Sequence, residues 1–366
     1  MSNQVKPSFQ VNSFLLFFLI HSSQVGVGIL LFQRSIVKEA GYDSWIGIVL
    51  AGLMAHLSLF FMFRMLKYEH QDISQVHQFV YGKWLGRLFT SLFIIEFTWS
   101  GLAILRDYVR LLQIWIFPDL PTWIPTCLIL ALLYYTIAGG FRVMAGMSFF
   151  KVMFTFAIIL PMFFTLGYAH FGNLSLIPTH TMKELWDATT SMSFSYAGFE
   201  TILVYYPFIK EGQKSKSYAY LGNAATTLLY LLTAFMCFIF YSEKQLTTLI
   251  WPYLTMASNL EFSTIQRLET IFVSTWVLVI APAVIQHLWC ASRLTKNMFK
   301  VKQKYPLIFF MIIIVVMSNI IDDSQEWDLI RDWNGKIAFY QNYVYIPVLF
   351  FGYLLMRKVK HTSPSS

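Results

Sequence analysis

Charge is what this chain has least of. Only 13% of its 366 residues are Asp, Glu, Lys or Arg, whereas 57% are hydrophobic and 18% aromatic. Mean hydropathy is +0.56. No polar stretch is long enough to hold a soluble domain. The three cysteines, Cys127, Cys237 and Cys290, all fall inside apolar runs and form neither a disulfide pattern nor a metal motif. No nucleophile constellation, phosphate-binding loop or metal-ligand spacing is present, so neither an enzyme nor a cofactor is expected. The N-terminus has one lysine, Lys6, and no small-residue cleavage site, so the first apolar span is expected to stay in the protein. A net charge of +8 raises the question of nucleic acid. The basic residues, however, sit in short loops between apolar runs, which is the signature of membrane orientation.

What is present is a succession of apolar runs of about 20 residues, each able to cross a ~30 Å hydrocarbon core. They predict an all-α integral membrane protein with ten spans, at 11–34, 43–66, 87–116, 122–138, 146–169, 186–208, 217–240, 264–294, 305–321 and 338–357. An even number puts both termini on one side. Segments on that side carry Arg64, Lys67, Lys83 and Arg87, then Arg142 and Lys151, and the run from Arg293 to Lys304. The opposite loops carry only Arg34, Lys38, Lys183, Lys244, Arg331 and Lys336. The bias predicts cytoplasmic termini. Residues 72–86 read as an inner interfacial helix and residues 246–262 as an amphipathic helix on the outer surface. The acidic segment 322–334 reads as an outer loop, with Trp327 and Trp333 in the interface belt.

Two spans are interrupted. Ser22-Ser23-Gln24-Val25-Gly26-Val27-Gly28 breaks the first, and Ser195-Tyr196-Ala197-Gly198-Phe199-Glu200 breaks the sixth. Gly26 and Gly198 stand close to half the chain apart. The third and eighth spans are both unusually long. With five spans per half, these matches predict two inverted repeats, about 11–169 and 186–357, in one polytopic domain covering 1–366.

Paired breaks mark a binding site near the bilayer midplane, because backbone that leaves the helix in lipid must find other partners. Freed N–H groups attract a carboxylate and freed carbonyls an ammonium, so an amino acid suits such a site. The candidate ligand contacts are Ser22, Ser23, Gln24, Val25, Gly26 and Gly28 in the first break, and Phe194, Ser195, Tyr196, Gly198, Phe199 and Glu200 in the second. Glu96 and Trp99 join them from a stripe on the third span that continues through Ala103, Asp107 and Arg110. Asp107 and Arg110 are expected to pair as a structural latch, and Arg267 with Glu269 as a surface pair. His21, His56 and His287 read as packed histidines, with His21, beside the first break, the one kept as a functional candidate.

With these residues in place, the chain resembles the amino acid/polyamine/organocation transporter superfamily. Within it, the chain is similar to the B subunits of spore germination nutrient receptors, the GerAB type. The resemblance is carried by Gly26-Val27-Gly28 with Arg34, Gly82-Lys83-Trp84-Leu85-Gly86, Gly139-Gly140, Gly198 with Glu200, and Pro207. It continues through Thr248-Leu249-Ile250-Trp251-Pro252, Arg267-Leu268-Glu269, Trp276 and Asp322-Asp323. Gln33 departs from it, where a proline often stands. The resemblance implies a LeuT-like fold and a germinant-sensing subunit of the spore inner membrane. The implied partners are a small nutrient, the bilayer, a membrane-bound A subunit and a lipoprotein C subunit. A proton- or sodium-coupled amino acid permease is the alternative.

Overall fold

The computed structural model describes residues 5–67, 72–174, 178–260, 267–321 and 324–362. Among these it is helical almost throughout, with one isolated parallel bridge between Val11 and Ile209. Among the described residues, five helical stretches are long and apolar enough to cross a membrane, and three shorter helices are apolar along their length. Side chains such as Leu128, Leu132, Phe150, Met153, Phe309 and Ile312 are exposed on the outer helix faces. A broad apolar exterior of this kind suits lipid.

The first span is two helices, α1a (Leu15–Gln24) and α1b (Phe32–Ala40), joined by a 3-10 turn, Val27–Leu30. Helix α2 (Trp45–Leu66) follows. Helix α3 (Ile73–Trp115) contains its own corner at Gly82, where φ is +77°. Glycine alone takes that backbone without strain. The corner separates residues 73–81 from the span proper, so the expected interfacial helix 72–86 ends at Gly82 and residues 83–86 belong to the span helix. Asp72 starts the helix by accepting from the Gln75 N–H. Helices α4 (Trp123–Ala138) and α5 (Phe141–Ile159) complete the first half.

The sixth span is again split. Helix α6a (Met182–Ser191, then Ser193–Tyr196) opens on a capping box between Thr181 and Glu184. Helix α6b (Ile202–Tyr205) follows the break. Then come α7 (Lys216–Phe240), α8 (Val277–Phe299), α9 (Lys304–Ile320) and α10 (Ser324–Tyr340, Gln341–Tyr345 and Ile346–Thr362). The α3–α8 contact is the most extensive among the described residues, while α1a lies between α7 and α5, and α1b lies against α6a.

Four expectations are corrected. Residues 324–334 are not a loop but the first turns of α10, and Trp327 is buried there, its Nε1–H donating to Asp107 Oδ1 at 2.7 Å. Trp333 stays exposed, and Asp322 and Asp323 lie outside the described residues. Segment 246–262 is two short helices, Glu243–Thr248 and Pro252–Ser258, the second largely buried; residues 261–262 lie outside the described residues. Arg110 pairs with Asp328 of α10 at 2.7 Å, not with Asp107. The α3 stripe therefore latches to α10. Lys151, read as a loop charge, is buried in the middle of α5. Arg267 and Glu269 do form a pair, at 3.2 Å.

Candidate functional site

Both breaks occur where glycine meets a short polar run, and they face each other. In the first, Val25 is extended and Gly26 opens further (φ −143°, ψ −141°), so α1a stops at Gln24. Its loose carbonyls are taken up from three sides. The Lys151 ammonium donates to the carbonyls of Ser22 and Val25. Tyr230 of α7 places its hydroxyl 2.8 Å from the Gln24 carbonyl and 2.6 Å from the Ser195 carbonyl. One phenol thus bridges the two breaks. Past the gap, the Val27–Leu30 turn starts without a side-chain cap on its leading N–H groups.

In the second break Gly198 lies at φ +114°, and its N–H donates to both oxygens of Glu200 at 2.9 Å. Glu200 also accepts from Asn342 at 3.1 Å, and His287 Nε2 stands 3.9 Å away. Glu96 accepts from Ser100 at 2.7 Å and from Gln341 at 3.3 Å. Each backbone end is therefore met by a side chain of the right hydrogen-bonding sense: the Lys151 amino group on carbonyls, the Glu200 carboxyl on an N–H.

Between the breaks is a cavity of about 30 Å³, lined by Ser23, Gln24, Gly26, Val27, Gly28, Ser100, Ile104, Ser195, Ala197, Ala283, His287 and Asn334. That is room for about two water molecules. Gln24 Oε1 and His287 Nε2, both on wall residues, are buried without a hydrogen-bond partner. A vestibule of about 760 Å³ opens on the α1b side, among Phe32, Arg34, Trp186, Arg331 and Phe339, and Ser195 lines both it and the small cavity. A second cavity of about 740 Å³ lies on the side of the N-terminus, among Lys6, Asp72, Arg142 and Arg293, and shares no wall residue with the small one.

Of the residues singled out from sequence, Ser23, Gln24, Gly26, Gly28 and Ser195 line the cavity. Ser22 sits behind it, its Oγ 2.9 Å from Gln286 Nε2, and Val25 contributes its carbonyl to Lys151. Tyr196 turns away, its hydroxyl 2.9 Å from Thr227 Oγ1 and 3.1 Å from Ile48 O of α2. Phe199 is buried near Tyr343, and Trp99 is half-buried against the apolar core. Glu96, Glu200 and Gly198 form the layer behind the wall. The Phe194 side chain lies outside what the structure describes. Histidines 21 and 56 are packed, bonded to Thr226 and to the Gly52 carbonyl. His287 does reach the cavity wall.

Sequence reasoning passed over Lys151, Tyr230, Ser100 and Asn334. Lys151 had a signal: it is a lone lysine in the run Ser148-Phe149-Phe150-Lys151-Val152-Met153-Phe154, and a charge at membrane depth is a functional candidate. The others are ordinary residues on ordinary helices and acquire a role only through packing.

Comparison with known proteins places this geometry. A family model described as "Spore germination protein" matches residues 10–327. The chain belongs to the spore germination protein family. It is 37% identical to the spore germination protein GerQB of Bacillus cereus, over 94% of this chain and 96% of that one. It is 21% identical to the spore germination protein A2 of Bacillus subtilis (strain 168), over 98% and 99%. Among solved structures it is similar to Mhp1, a nucleobase-cation-symport-1 family transporter in a closed conformation with bromovinylhydantoin bound. The TM-score there is 0.65 at 13% identity, covering 98% of this chain and 82% of Mhp1. The fold is thus that of the LeuT-like transporters, on a spore germination membrane protein.

Proposed function

We propose that this protein is the nutrient-sensing B subunit of a spore germination receptor and that the nutrient binds between the two breaks. The observation that carries the reading is the small cavity walled by both breaks, whose lining includes Gly26, Val27 and Gly28 at the uncapped start of a turn and the unpartnered Gln24 Oε1. An amino acid fits that pairing, its carboxylate at the N–H groups of Gly26 to Gly28 and its ammonium at Gln24 Oε1. The cavity is smaller than any amino acid, so binding requires it to open. Opening gives the nutrient its leverage, since a ligand shifts a conformational balance only by binding one state better.

In this reading the termini are cytoplasmic, and the vestibule that meets the cavity at Ser195 faces outward, the side from which a nutrient reaches the spore inner membrane. The halves 11–169 and 186–357 are inverted repeats. A membrane-bound A subunit and a lipoprotein C subunit complete the receptor and carry the signal onward.

The test is a strain lacking this subunit, assayed against amino acids, nucleosides and sugars. Loss of response to one class names the nutrient, and an unchanged response to all of them contradicts the reading. A second reading, a working permease, is favoured by the likeness to Mhp1. Uptake of the labelled nutrient into vesicles containing this chain alone would establish it in place of the first.

A further inference from the structure

Helix α10 leaves α geometry once. Across Gln341–Tyr345 it winds as a π-helix, and the Ile346 N–H donates to the carbonyl of Gln341, five residues back. The cause is local. Pro347 has no N–H, so the carbonyls one turn before it lose their donor. The Asn342 carbonyl accepts from the Ser58 hydroxyl of α2 instead, at 2.7 Å.

The π segment touches two distant places. Its first two side chains hold the carboxylates behind the cavity, Gln341 on Glu96 and Asn342 on Glu200. Glu200 in turn accepts from the Gly198 N–H in the α6 break. Its last side chain, Tyr345, places its hydroxyl 2.9 Å from His77 Nε2, in the interfacial piece 73–81 beyond the Gly82 corner. The Tyr345 ring also stacks on Phe89 at 5.6 Å.

We propose that this π segment is the switch that carries occupancy of the cavity to residues 73–81 at the membrane surface. The proposal rests on the reading that the nutrient binds between the breaks. A π turn holds one residue more than an α turn. Restoring α geometry turns everything beyond it by about 100° and moves it about 1.5 Å relative to what precedes it. The bonds of Gln341 and Asn342 at one end and of Tyr345 at the other do not both survive that step. The segment therefore has two discrete arrangements, and each end biases the choice, which is what coupling between distant sites requires. A nutrient that moves the α6 break moves Glu200 and pulls on Asn342. The change of winding then releases or re-forms the Tyr345–His77 bond.

The experiment uses spores carrying the full receptor, a mixture of amino acids, nucleosides and sugars as stimulus, and subunit abundance measured in each strain. Tyr345→Phe removes one hydrogen bond and keeps the ring. It is expected to shift the half-maximal dose by about 2- to 13-fold, the span of one neutral bond. Gln341→Ala is expected to shift it as well, and the double variant by less than the product of the two, because both act on one element. Pro347→Ala restores the missing donor and is expected to lock the receptor, giving germination without nutrient or none at any dose. Parental dose responses in Tyr345→Phe and Pro347→Ala at normal abundance overturn the switch. So do two single shifts that simply multiply. If Pro347→Ala is absent from the membrane, the Tyr345→Phe and Gln341→Ala cycle decides alone. Gly26→Leu separates the two claims: loss of response in Gly26→Leu beside parental π-segment variants overturns only the switch, whereas a parental response from Gly26→Leu overturns the site itself.

Discussion

Gly198 rests on Ser23 so closely that a Cβ on the glycine would lie 2.5 Å from the Ser23 carbonyl oxygen. The two breaks are thus in backbone contact, and the two halves of the molecule meet at that point. Gly26 differs, since a Cβ there would meet nothing within 4 Å. The glycines that look equivalent in sequence do different work. Gly198→Ala places a side chain at φ +114° and against a carbonyl, a strain of about 1–3 kcal/mol before the clash. Its abundance in the membrane is expected to fall. Gly26→Ala is expected to leave abundance unchanged. Immunoblots of membranes from the two strains check the contrast.

The Lys151 amino group occupies the Ser22 and Val25 carbonyls, the freed acceptors at which a cation could otherwise bind. The dose response is therefore expected to stay the same when sodium is replaced by choline. Lys151→Met leaves the Ser22 and Val25 carbonyls buried without a donor, at about 1–3 kcal/mol for each. A thermal-unfolding scan of the purified protein in detergent should show a clear drop in midpoint.

Asp43 ties the turn after α1b to the start of α6a. Its Oδ2 accepts from the Thr179 N–H at 2.7 Å, the Thr179 hydroxyl at 3.1 Å, and His180 through Nδ1 at 2.8 Å and N–H at 3.2 Å. Burial pushes its pKa up, but these bonds outweigh it and hold it below the ordinary 3.8. A carboxylate whose folded pKa is depressed contributes stability above its unfolded pKa and loses it as pH falls through the folded one. Asp43→Asn should lower the unfolding midpoint at pH 7, by the loss of charge-assisted bonds worth roughly 1.5–3 kcal/mol. The gap between parent and variant is expected to persist at pH 5 and to close only below the ordinary carboxylate range. Unfolding scans across pH check it.

Much of this was legible in the sequence, for physical reasons. Apolar runs must be helices in lipid, so the spans could be counted. Glycines beside serines inside such runs must break them, so both breaks were placed. What could not be read depends on contacts across the bundle. Trp327 looks like an interface tryptophan by composition, yet it is buried because Asp107 offers an acceptor. Lys151 reads as a loop charge because charge near a span end normally lies there; only its bonds to the α1a carbonyls reveal its role. The π turn follows from Pro347, but a proline near a helix end ordinarily signals a kink or a stop. His287 reads as packed, and its reach to the cavity wall depends on how α8 is rotated.

Ser195 lines both the vestibule and the small cavity. Ser195→Ala is expected to raise the nutrient concentration for half-maximal germination by about 2- to 13-fold if its hydroxyl bonds the ligand directly. The dose response of spores with matched subunit abundance measures it.

The central claim is that the nutrient binds between the breaks, and Gly26→Leu tests it most directly. A Cβ at Gly26 would meet nothing within 4 Å, and the rest of a leucine side chain exceeds the cavity of about 30 Å³ that Gly26 lines, so it competes with the ligand for that space. Germination of spores carrying this variant, at the parental subunit abundance, should fail or need a much higher dose of the nutrient that the deletion strain identifies. A parental dose response from Gly26→Leu spores would contradict the account.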